Sequence, residues 1–307
     1  MERLRIGLIG WGTVGSALGE LVVNGALPLT LACVAVRRPD RDRQPGLPKG
    51  VPLGNPDDAI GMDVVVELAG GLDGPRDWAR RTLDRGTPYV TANKALLATH
   101  GGELAELAER RVAALLGSAS VGGGTPMIEA TAHLAATGAI ERLRGIVNAT
   151  TTYILSAMGE GRSYGEALRE AQDAGYAEAD PSFDVDGRDA AQKLAILASV
   201  AWGRWQAEST VGTRGIVGQE VRAGETIRLV AEATPDAMTV APMPVEPSDP
   251  LARAAGIENV LEITVRDAGV FRISGPGAGG RVTAGAVYAD LARLAAGERP
   301  ILFGTSS

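Results

Sequence analysis

The sequence predicts an α/β protein, with an N-terminal Rossmann-type doubly wound parallel sheet and a C-terminal α+β domain whose sheet is mixed or antiparallel. Three observations predict this fold class. Apolar runs alternate with helical patterns up to about residue 116, as expected for parallel strands joined by helices. A glycine-rich motif follows the first apolar run. After about residue 141, helical patterns are followed by short alternating runs that are typical of antiparallel strands.

The elements of the first domain follow from buried apolar runs and from apolar residues at helical spacing. Strands are predicted at 4–9, 29–36, 64–68, 89–91 and 112–116, and helices at 13–23, 76–85 and 103–110. Parallel strands need crossover connections, so each helix is expected to cover one face of the sheet. We assign residues 1–140 to this dinucleotide-binding domain.

The second domain is assigned to residues 141–280 and to substrate binding and dimerisation. A strand is predicted at 142–147, helices at 152–158, 164–174 and 187–202, strands at 227–231, 238–243, 260–265 and 270–273, and a tight loop (GPGAGG) at 275–280. A final helix is predicted at 283–296, in a segment of about 281–303 that we expect to pack back on the first domain. An antiparallel sheet with one uncovered face tends to find a partner, which favours a homodimer.

Length, charge and cysteine content exclude several classes of protein. The chain has 307 residues, 45% hydrophobic and 22% charged, which is enough for two domains with separate cores. The net charge of −7 argues against a nucleic-acid partner. The single cysteine, Cys33, excludes a disulfide framework and a cysteine metal cluster. No signal-peptide pattern and no apolar run of about 18 residues occurs, so we expect a cytoplasmic protein with no membrane partner.

The motif GWGTVG at 10–15 lies where a strand turns into a helix. In that setting Gly10 permits the tight turn, Gly12 lets a pyrophosphate approach the backbone, and Gly15 lets the helix lie close to the strand. The N–H groups of the helix N-terminus then face the phosphates. The alternative is a glycine-rich turn without a ligand, but the strand-to-helix context favours a dinucleotide.

The end of the second strand bears on the choice between NADP and NAD. The strand runs out into Arg37 and Arg38, with no acid before Asp40. Arginine suits a 2′-phosphate, whereas an acid accepts hydrogen bonds from a ribose 2′-hydroxyl. NADP is therefore favoured, and NAD stays open because Asp40 or Asp42 could reach a ribose.

Two further segments follow predicted strands. Thr91-Ala92-Asn93-Lys94 lies at a carboxyl end, where a lysine can hold a carboxylate or move a proton. Taken alone, Lys94 is better explained as a surface residue that starts a helix. SASVGGGTP at 118–126 has three adjacent glycines. They indicate either a close backbone approach to a ligand, an ion or a second chain, or a flexible start to a helix.

The stretch GYAEADPSFDVDGRDAAQK at 175–193 is rich in acids and ends on a lysine. A buried ammonium must be matched by carboxylates, so the acids suggest a pocket for a small cationic substrate. Asp189 and Lys193 are spaced i, i+4, which alone indicates a surface ion pair. The apolar remainder of the helix (AILASVAW) instead suggests a partly buried lysine.

Taken together, these motifs resemble homoserine dehydrogenase, which interconverts L-homoserine and L-aspartate 4-semialdehyde in threonine and methionine biosynthesis. The segments that carry the resemblance are GWGTVG (10–15), VTANKALLA (90–98), SVGGGTP (120–126), NATTTYIL (148–155), GYAEADPSFDVDGRDAAQKLAIL (175–197) and GPGAGG (275–280). They keep the family's order over almost the whole chain. The acidic block is highly specific, whereas the glycine fingerprint is shared by many families.

The resemblance implies roles for particular residues. The catalytic lysines would be Lys193 and Lys94. Substrate contacts would come from Glu178, Asp184, Asp189, Thr150 and Tyr176. Cofactor contacts would come from Gly10, Gly12, Thr13, Val14, Gly15, Arg37, Arg38, Ala69, Gly70, Thr91, Asn93, Lys94, Gly275 and Gly277. Backbone carbonyls near Val121 and Gly123 would bind a monovalent cation, Na⁺ or K⁺, although many relatives carry glutamate where this chain has Ser118.

The chain also departs from the family's pattern. Ala149 stands where a glycine is usual and Thr152 where an asparagine is common, and either change could alter substrate fit. A same-fold dehydrogenase acting on another small amino alcohol or aldehyde is therefore one alternative function. A non-catalytic NADP-binding sensor is another, although Lys94, Lys193 and Glu178 are all present. No regulatory domain follows the last helix, so feedback by threonine through such a domain is not expected.

Overall fold

The computed structural model describes residues 3–36 and 46–303. The chain divides into two compact units, the first made of residues 1–126, 203–205 and 278–307 and the second of residues 127–202 and 206–277. The predicted domain limit was 140, whereas the helix over 127–137 belongs to the second unit. The last helix belongs to the first unit.

Within the described residues, the first unit contains a six-stranded, fully parallel sheet in the order β3-β2-β1-β4-β5-β6. Its elements are β1 Leu4–Ile9, α1 Thr13–Asn24, β2 Leu29–Ala35, β3 Leu53–Gly54, α2 Pro56–Ile60, β4 Val64–Glu67, α3 Asp73–Asp84, β5 Tyr89–Thr91, α4 Lys94–Arg111, β6 Leu115–Leu116 and, after the elements of the second unit, α10 Gly280–Ala295. The Rossmann-type prediction is confirmed.

The core of the first unit explains why these segments form strands and helices. The central strands β1 and β4 are buried on both faces and are therefore almost continuously apolar. Helix α10 contributes Ala284, Val287 and Leu291 to the same core as Leu18 of α1. The last helix thus completes a core that the first residues of the chain begin.

The second unit contains, among the residues that are described, a six-stranded mixed sheet in the order β12-β11-β7-β9-β10-β8, antiparallel except where β8 pairs with β10. Its elements are α5 Met127–Thr137, β7 Ile140–Ile146, α6 Ala149–Gly159, α7 Tyr164–Asp173, α8 Ser182–Val185, α9 Arg188–Trp202, β8 Gly212–Thr213, β9 Ile227–Ala233, β10 Met238–Pro244, β11 Glu258–Val265 and β12 Gly269–Pro276. Helix α9 is buried along most of its length, as its apolar sequence predicts.

Several predicted elements have other bounds in the structure, among them the strand predicted at 112–116, which is only Leu115–Leu116. Helix α4 begins at Lys94 rather than at 103, because the Asn93 side chain caps it by accepting from the Leu96 N–H at 3.1 Å. Strand β12 runs to Pro276, with Gly275 paired to Asn259, so residues 275–280 are not one tight loop. Helix α10 begins at Gly280 and ends at Ala295, short of 303.

No helix in the part of the chain that is described is long and apolar enough to cross a membrane.

Candidate functional site

The fingerprint forms the predicted turn between β1 and α1. Gly10 has a φ of +107°, which glycine adopts readily, and a side chain there would lie 2.8 Å from the backbone of Leu68 and Ala69. A side chain on Gly15 would overlap the Gly10 carbonyl oxygen. Two of the three glycines are therefore required by the fold itself.

Gly12 is different because a side chain there would meet no heavy atom of the described residues within 4 Å. It is exposed and is the N-cap of α1, and in the described part of the chain this cap forms no side-chain hydrogen bond. Thr13 and Val14 follow it in the first turn. An open backbone beside uncapped N–H donors fits a pyrophosphate, so the residues present suit a dinucleotide.

A ring of hydrogen bonds joins the loops that follow β4 and β5. Glu67, fully buried at the end of β4, accepts through Oε1 from the N–H groups of Ala69 and Gly70 at 2.7 and 2.8 Å. Its Oε2 accepts from the Thr91 hydroxyl at 2.8 Å, and Thr91 Oγ1 accepts from the Asn93 N–H at 2.9 Å.

The ring closes through Asn93. Its Nδ2 donates to the Gly71 carbonyl oxygen at 2.7 Å, and its Oδ1 caps the helix that starts at Lys94. Ala69, Gly70, Thr91 and Asn93 were all predicted to contact the cofactor, and the ring brings them together. Sequence reasoning missed Glu67, although an acid that ends the apolar run VVVE was a signal for it.

The arginines predicted to read the cofactor's 2′ position, Arg37 and Arg38, lie outside the described residues, as do Asp40 and Asp42. The second strand ends at Ala35, two residues before Arg37.

The glycine-rich stretch after β6 packs against its own chain. Gly122 and Gly123 have φ values of 78° and 59°, and a side chain on Gly124 would meet Val282 of α10 at 2.7 Å. Ser118 donates through its backbone N–H and its hydroxyl to the buried carboxylate of Asp290, at 3.1 and 2.6 Å. This bond also holds α10 in place.

The backbone carbonyls near Val121 and Gly123 were predicted to bind a cation. Val121 is buried. Across residues 3–36 and 46–303, no group of three or more His, Cys, Asp or Glu residues could hold a metal ion. Gly277 packs against the buried Asn259 amide, whose Oδ1 and Nδ2 have no partner in the described structure.

The acidic block of the second unit forms a cluster around Asn148. Asn148 Nδ2 donates to Asp184 Oδ1 at 2.6 Å and to Asp189 Oδ2 at 2.8 Å. The same Asp189 oxygen lies 2.8 Å from Lys193 Nζ, which also donates to the Val147 carbonyl oxygen at 2.6 Å. The side chains of Asp189 and Lys193 are only 7% and 13% exposed, so the pair is not a surface ion pair.

Asn148 is held firmly because its Oδ1 accepts from the Thr151 N–H and hydroxyl, each at 2.9 Å, as the N-cap of α6. Burial raises the pKa of Asp184, and its hydrogen bond from Asn148 opposes that rise. The cluster therefore combines a buried ammonium with two carboxylates. Such a group can bind an amine and donate a proton to an oxygen.

Thr150 and Tyr176, both predicted to contact substrate, join this cluster. The Thr150 hydroxyl lies 2.7 Å from the Tyr176 carbonyl oxygen and 3.1 Å from Asp184 Oδ2. The Tyr176 ring stacks on Tyr153, with ring centres 4.9 Å apart. Asn148 and Tyr153 are further members that the sequence did not single out by role.

Glu178 lies outside the cluster. It is exposed on the loop after α7, where its carbonyl oxygen accepts from Gln172 Nε2 at 3.1 Å. The departures at 149 and 152 fit the helix. Thr152 is buried and donates to the Asn148 carbonyl oxygen at 2.8 Å, so its hydroxyl serves the backbone.

Comparison with known proteins agrees with both units. The family model "Homoserine dehydrogenase, NAD binding domain" matches residues 10–116, and the model "Homoserine dehydrogenase" matches residues 126–292. A homoserine dehydrogenase of Synechocystis is 38% identical over 317 residues, covering 95% of this chain and 73% of that protein.

Solved structures give the same result. A homoserine dehydrogenase from Thiobacillus denitrificans has a TM-score of 0.91 at 32% identity, covering 99% of this chain and 77% of that one. A hyperthermophilic archaeal homoserine dehydrogenase in complex with NADPH has a TM-score of 0.87 at 28% identity, covering 96% of this chain and 98% of that one.

Proposed function

Because the chain belongs to the homoserine dehydrogenase family and interconverts L-homoserine and L-aspartate 4-semialdehyde with a nicotinamide cofactor, we propose how its residues divide that reaction. The first unit binds the dinucleotide, and the second unit binds the amino acid. The observation that carries this assignment is the buried cluster of Asn148, Asp184, Asp189 and Lys193.

The substrate ammonium is bound by carboxylates of the second unit. Asp184 and Asp189 are linked by one asparagine, and Asp184 also lies beside the hydroxyl of Thr150. Glu178 is the exposed acid at the edge of the same block. A buried ammonium needs acceptors of this kind. We assign Tyr176 to the same binding surface because its carbonyl oxygen already accepts from Thr150.

Lys193 acts at the oxygen of the aldehyde whose carbon accepts the hydride. Its ammonium is oriented by Asp189 and by the Val147 carbonyl oxygen, which leaves one of its three N–H donors for a substrate oxygen. A positive charge where an alkoxide develops stabilises the transition state, and the proton can then pass to that oxygen. Lys94, at the start of α4, is assigned to the same reaction from the cofactor side.

The cofactor, when bound, supplies or accepts the hydride. Gly12 and the first turn of α1 hold its pyrophosphate, and the loops after β4 and β5 hold its nicotinamide end. We propose NADP rather than NAD, since Arg37 and Arg38 suit a 2′-phosphate. The archaeal relative solved with NADPH supports the same choice.

Two finer assignments accompany this function. We propose that the chain forms a homodimer through its second unit, because the edge strand β12 exposes Val270 (59%) and Phe271 (43%). We also propose that carbonyls near Val121 and Gly123 bind Na⁺ or K⁺. A biosynthetic enzyme of this type is expected in the cytoplasm.

One assay tests the function and its finer parts. Purified protein is given homoserine with NADP or NAD, each with and without sodium or potassium salts, and reduction of the nucleotide is followed. We expect turnover with both nucleotides and a lower KM for NADP. Equal KM values would contradict the NADP preference, and absence of any salt effect would contradict the cation. Lack of turnover, with other small amino alcohols oxidised instead, would contradict the substrate.

A further inference from the structure

The ring formed by Glu67, Thr91, Asn93 and the backbone of 69–71, here called the Glu67 ring, has a role that neither family resemblance nor motif assigns. The side chains of Glu67 and Thr91 make three and two bonds within it, and Asn93 makes one through its side chain and one through its backbone N–H. It spans the carboxyl ends of two neighbouring parallel strands, β4 and β5. This edge is where ligands of open α/β sheets bind.

The loop at Gly70 and Gly71 has no side chains of its own that restrict its backbone. Gly70 and Gly71 have φ values of 69° and 89°, and side chains at either position would meet nothing within 4 Å. Adjacent glycines in open space have more backbone freedom than any other pair of residues. Fixing such a loop requires bonds from outside, and the ring supplies them on both sides of the glycine pair.

The carboxylate itself is unusual. Glu67 is 0% exposed and, among the described residues, forms no ion pair. Its charge is met by three hydrogen-bond donors, two of them backbone N–H groups. Burying an ion without a counter-ion is unfavourable, so a neutral or apolar residue at this position would make β4 more stable. A purely structural explanation of β4 does not account for it.

We propose that Glu67 is the positioning residue of the cofactor site: its carboxylate fixes the Gly70-Gly71 loop and, through Thr91 and Asn93, the start of α4 at Lys94. The proposal rests on the assignment of these loops to the cofactor. Glu67 does not touch the cofactor itself, because both of its oxygens are occupied within the ring. It acts by removing loop freedom before the cofactor binds, which raises affinity.

The structure offers a matched control on α3 and α4, the helices that follow the same two strands. Glu103 of α4 accepts from Arg76 and Arg80 of α3, at 2.7 and 3.0 Å, and so also links the segments that follow β4 and β5. It lies on the helix surface, away from the loops. Glu103→Gln removes a carboxylate that joins the same elements and leaves the ring intact.

The test compares Glu67→Gln with Glu103→Gln in NADPH binding without substrate, followed by the fluorescence of the nucleotide. Glutamine keeps one acceptor for Ala69 and Gly70 but presents an amide donor to Thr91. We expect Kd for NADPH to rise about tenfold for Glu67→Gln, as for loss of a buried bond to a charged group, and to stay unchanged for Glu103→Gln. Hydrogen exchange of the apo protein should become faster at Ala69 and Gly70 in Glu67→Gln only.

A second pair covers the case in which Glu67→Gln fails to fold. Thr91→Val removes the hydroxyl that links Glu67 to Asn93, whereas Thr91→Ser keeps it. We expect Thr91→Ser to retain most of the NADPH affinity that Thr91→Val loses, with KM for homoserine changed little in both.

An unchanged NADPH Kd in a folded Glu67→Gln variant would overturn the proposal. An equal loss of NADPH affinity in Glu103→Gln would also overturn it, because such a loss would mean that α3 and α4 had loosened in general. Failure of the proposed function has a different result: the wild-type chain would bind NADPH more tightly than Glu67→Gln does, but it would not oxidise homoserine.

Discussion

The two binding sites that we propose for this reaction are built from different parts of the chain. In the first unit, the surface offered to the dinucleotide is mostly backbone, and glycines are needed to expose it. In the second unit, the site consists of side chains, in which Asn148 joins two carboxylates to Lys193. Substitutions in the first unit should therefore change cofactor affinity, and those in the second should change turnover.

The largest effect is expected at Lys193. Lys193→Ala removes the ammonium that we assign to the reacting oxygen and leaves Asp189 buried without its partner. We expect kcat to fall by about 10²–10⁴-fold, with NADPH Kd nearly unchanged. Steady-state kinetics and a fluorescence titration separate the two quantities.

Lys193→Arg sharpens this test because it keeps the charge but does not release a proton at accessible pH. Activity of Lys193→Ala within a few-fold of wild type would remove the lysine from the mechanism and would break the comparison.

Asn148 should have the next largest effect, again on turnover. Asn148→Asp replaces a donor to two carboxylates by a third acid, so kcat/KM for homoserine should fall at least about tenfold while NADPH Kd is kept. Because Asn148 also caps α6, Ser163→Ala serves as a control. Ser163 caps α7 in the same way, and its loss should lower stability by about 1 kcal/mol without changing kinetics. If Asn148→Asp, like Ser163→Ala, left the kinetics unchanged, Asn148 would act only as a helix cap.

In the first unit, two neighbouring glycines should respond in opposite ways. Gly12→Ala adds a methyl group to open space, so the thermal midpoint should stay unchanged while NADPH Kd rises about tenfold or more. Gly15→Ala forces a side chain into the Gly10 carbonyl, so stability itself should fall by about 1–3 kcal/mol. Differential scanning fluorimetry with and without NADPH distinguishes them. A Gly12→Ala protein that binds NADPH normally would contradict the pyrophosphate assignment.

A smaller effect is expected from pH. Burial raises the pKa of Asp184 above its ordinary value of 3.8, so the folded chain holds that proton more tightly than the unfolded chain. Its contribution to stability is therefore greatest below 3.8 and decreases as pH rises through the raised folded pKa. The thermal midpoint of Asp184→Asn, relative to wild type, should increase from about pH 4 to about pH 7.

Asp180 provides the control of opposite sign. Hydrogen bonds from Ser182 lower the pKa of this exposed acid, so its contribution is present above 3.8 and is lost as pH falls through the lowered folded pKa. The midpoint of Asp180→Asn relative to wild type should therefore decrease as pH rises toward 3.8, and then stay level from about pH 4 to about pH 7. A flat difference for Asp184→Asn would mean that Asp184 is solvated in solution.

The smallest change is expected at Gly285, an exposed glycine inside α10 with open space around it. Gly285→Ala should raise stability by about 0.5–1 kcal/mol and leave kcat and both KM values unchanged, since alanine is the better helix former. Chemical denaturation measures the gain. A loss of stability would show that α10 needs this glycine for a contact.

Sequence patterns predicted the first unit well. Strands β1 and β5 have the predicted bounds, and the fingerprint turns where its spacing required, because these features depend on residues close together in the chain. The Asp189–Lys193 pair was also visible, from its i, i+4 spacing.

Contacts between distant residues were not predictable in the same way. Asn148 reaches acids that lie 36 and 41 residues further along the chain, Glu67 meets Thr91 across two strands, and Ser118 meets Asp290 over 172 residues. No local pattern encodes which carboxylate such a partner will find. Only the folded chain brings these groups together.

The first unit is not contiguous in the chain, and this has a consequence for biosynthesis. Its core takes in α10, and Trp205 inserts its indole against Gly101 and Gly102 while donating to the Leu97 carbonyl oxygen. When residues 1–126 have been synthesised, the core of the first unit is therefore still incomplete, because α10 has not yet been made. The newborn chain must keep Leu18 and its neighbours shielded, by a chaperone or by transient collapse, until residues near 291 emerge and let it close.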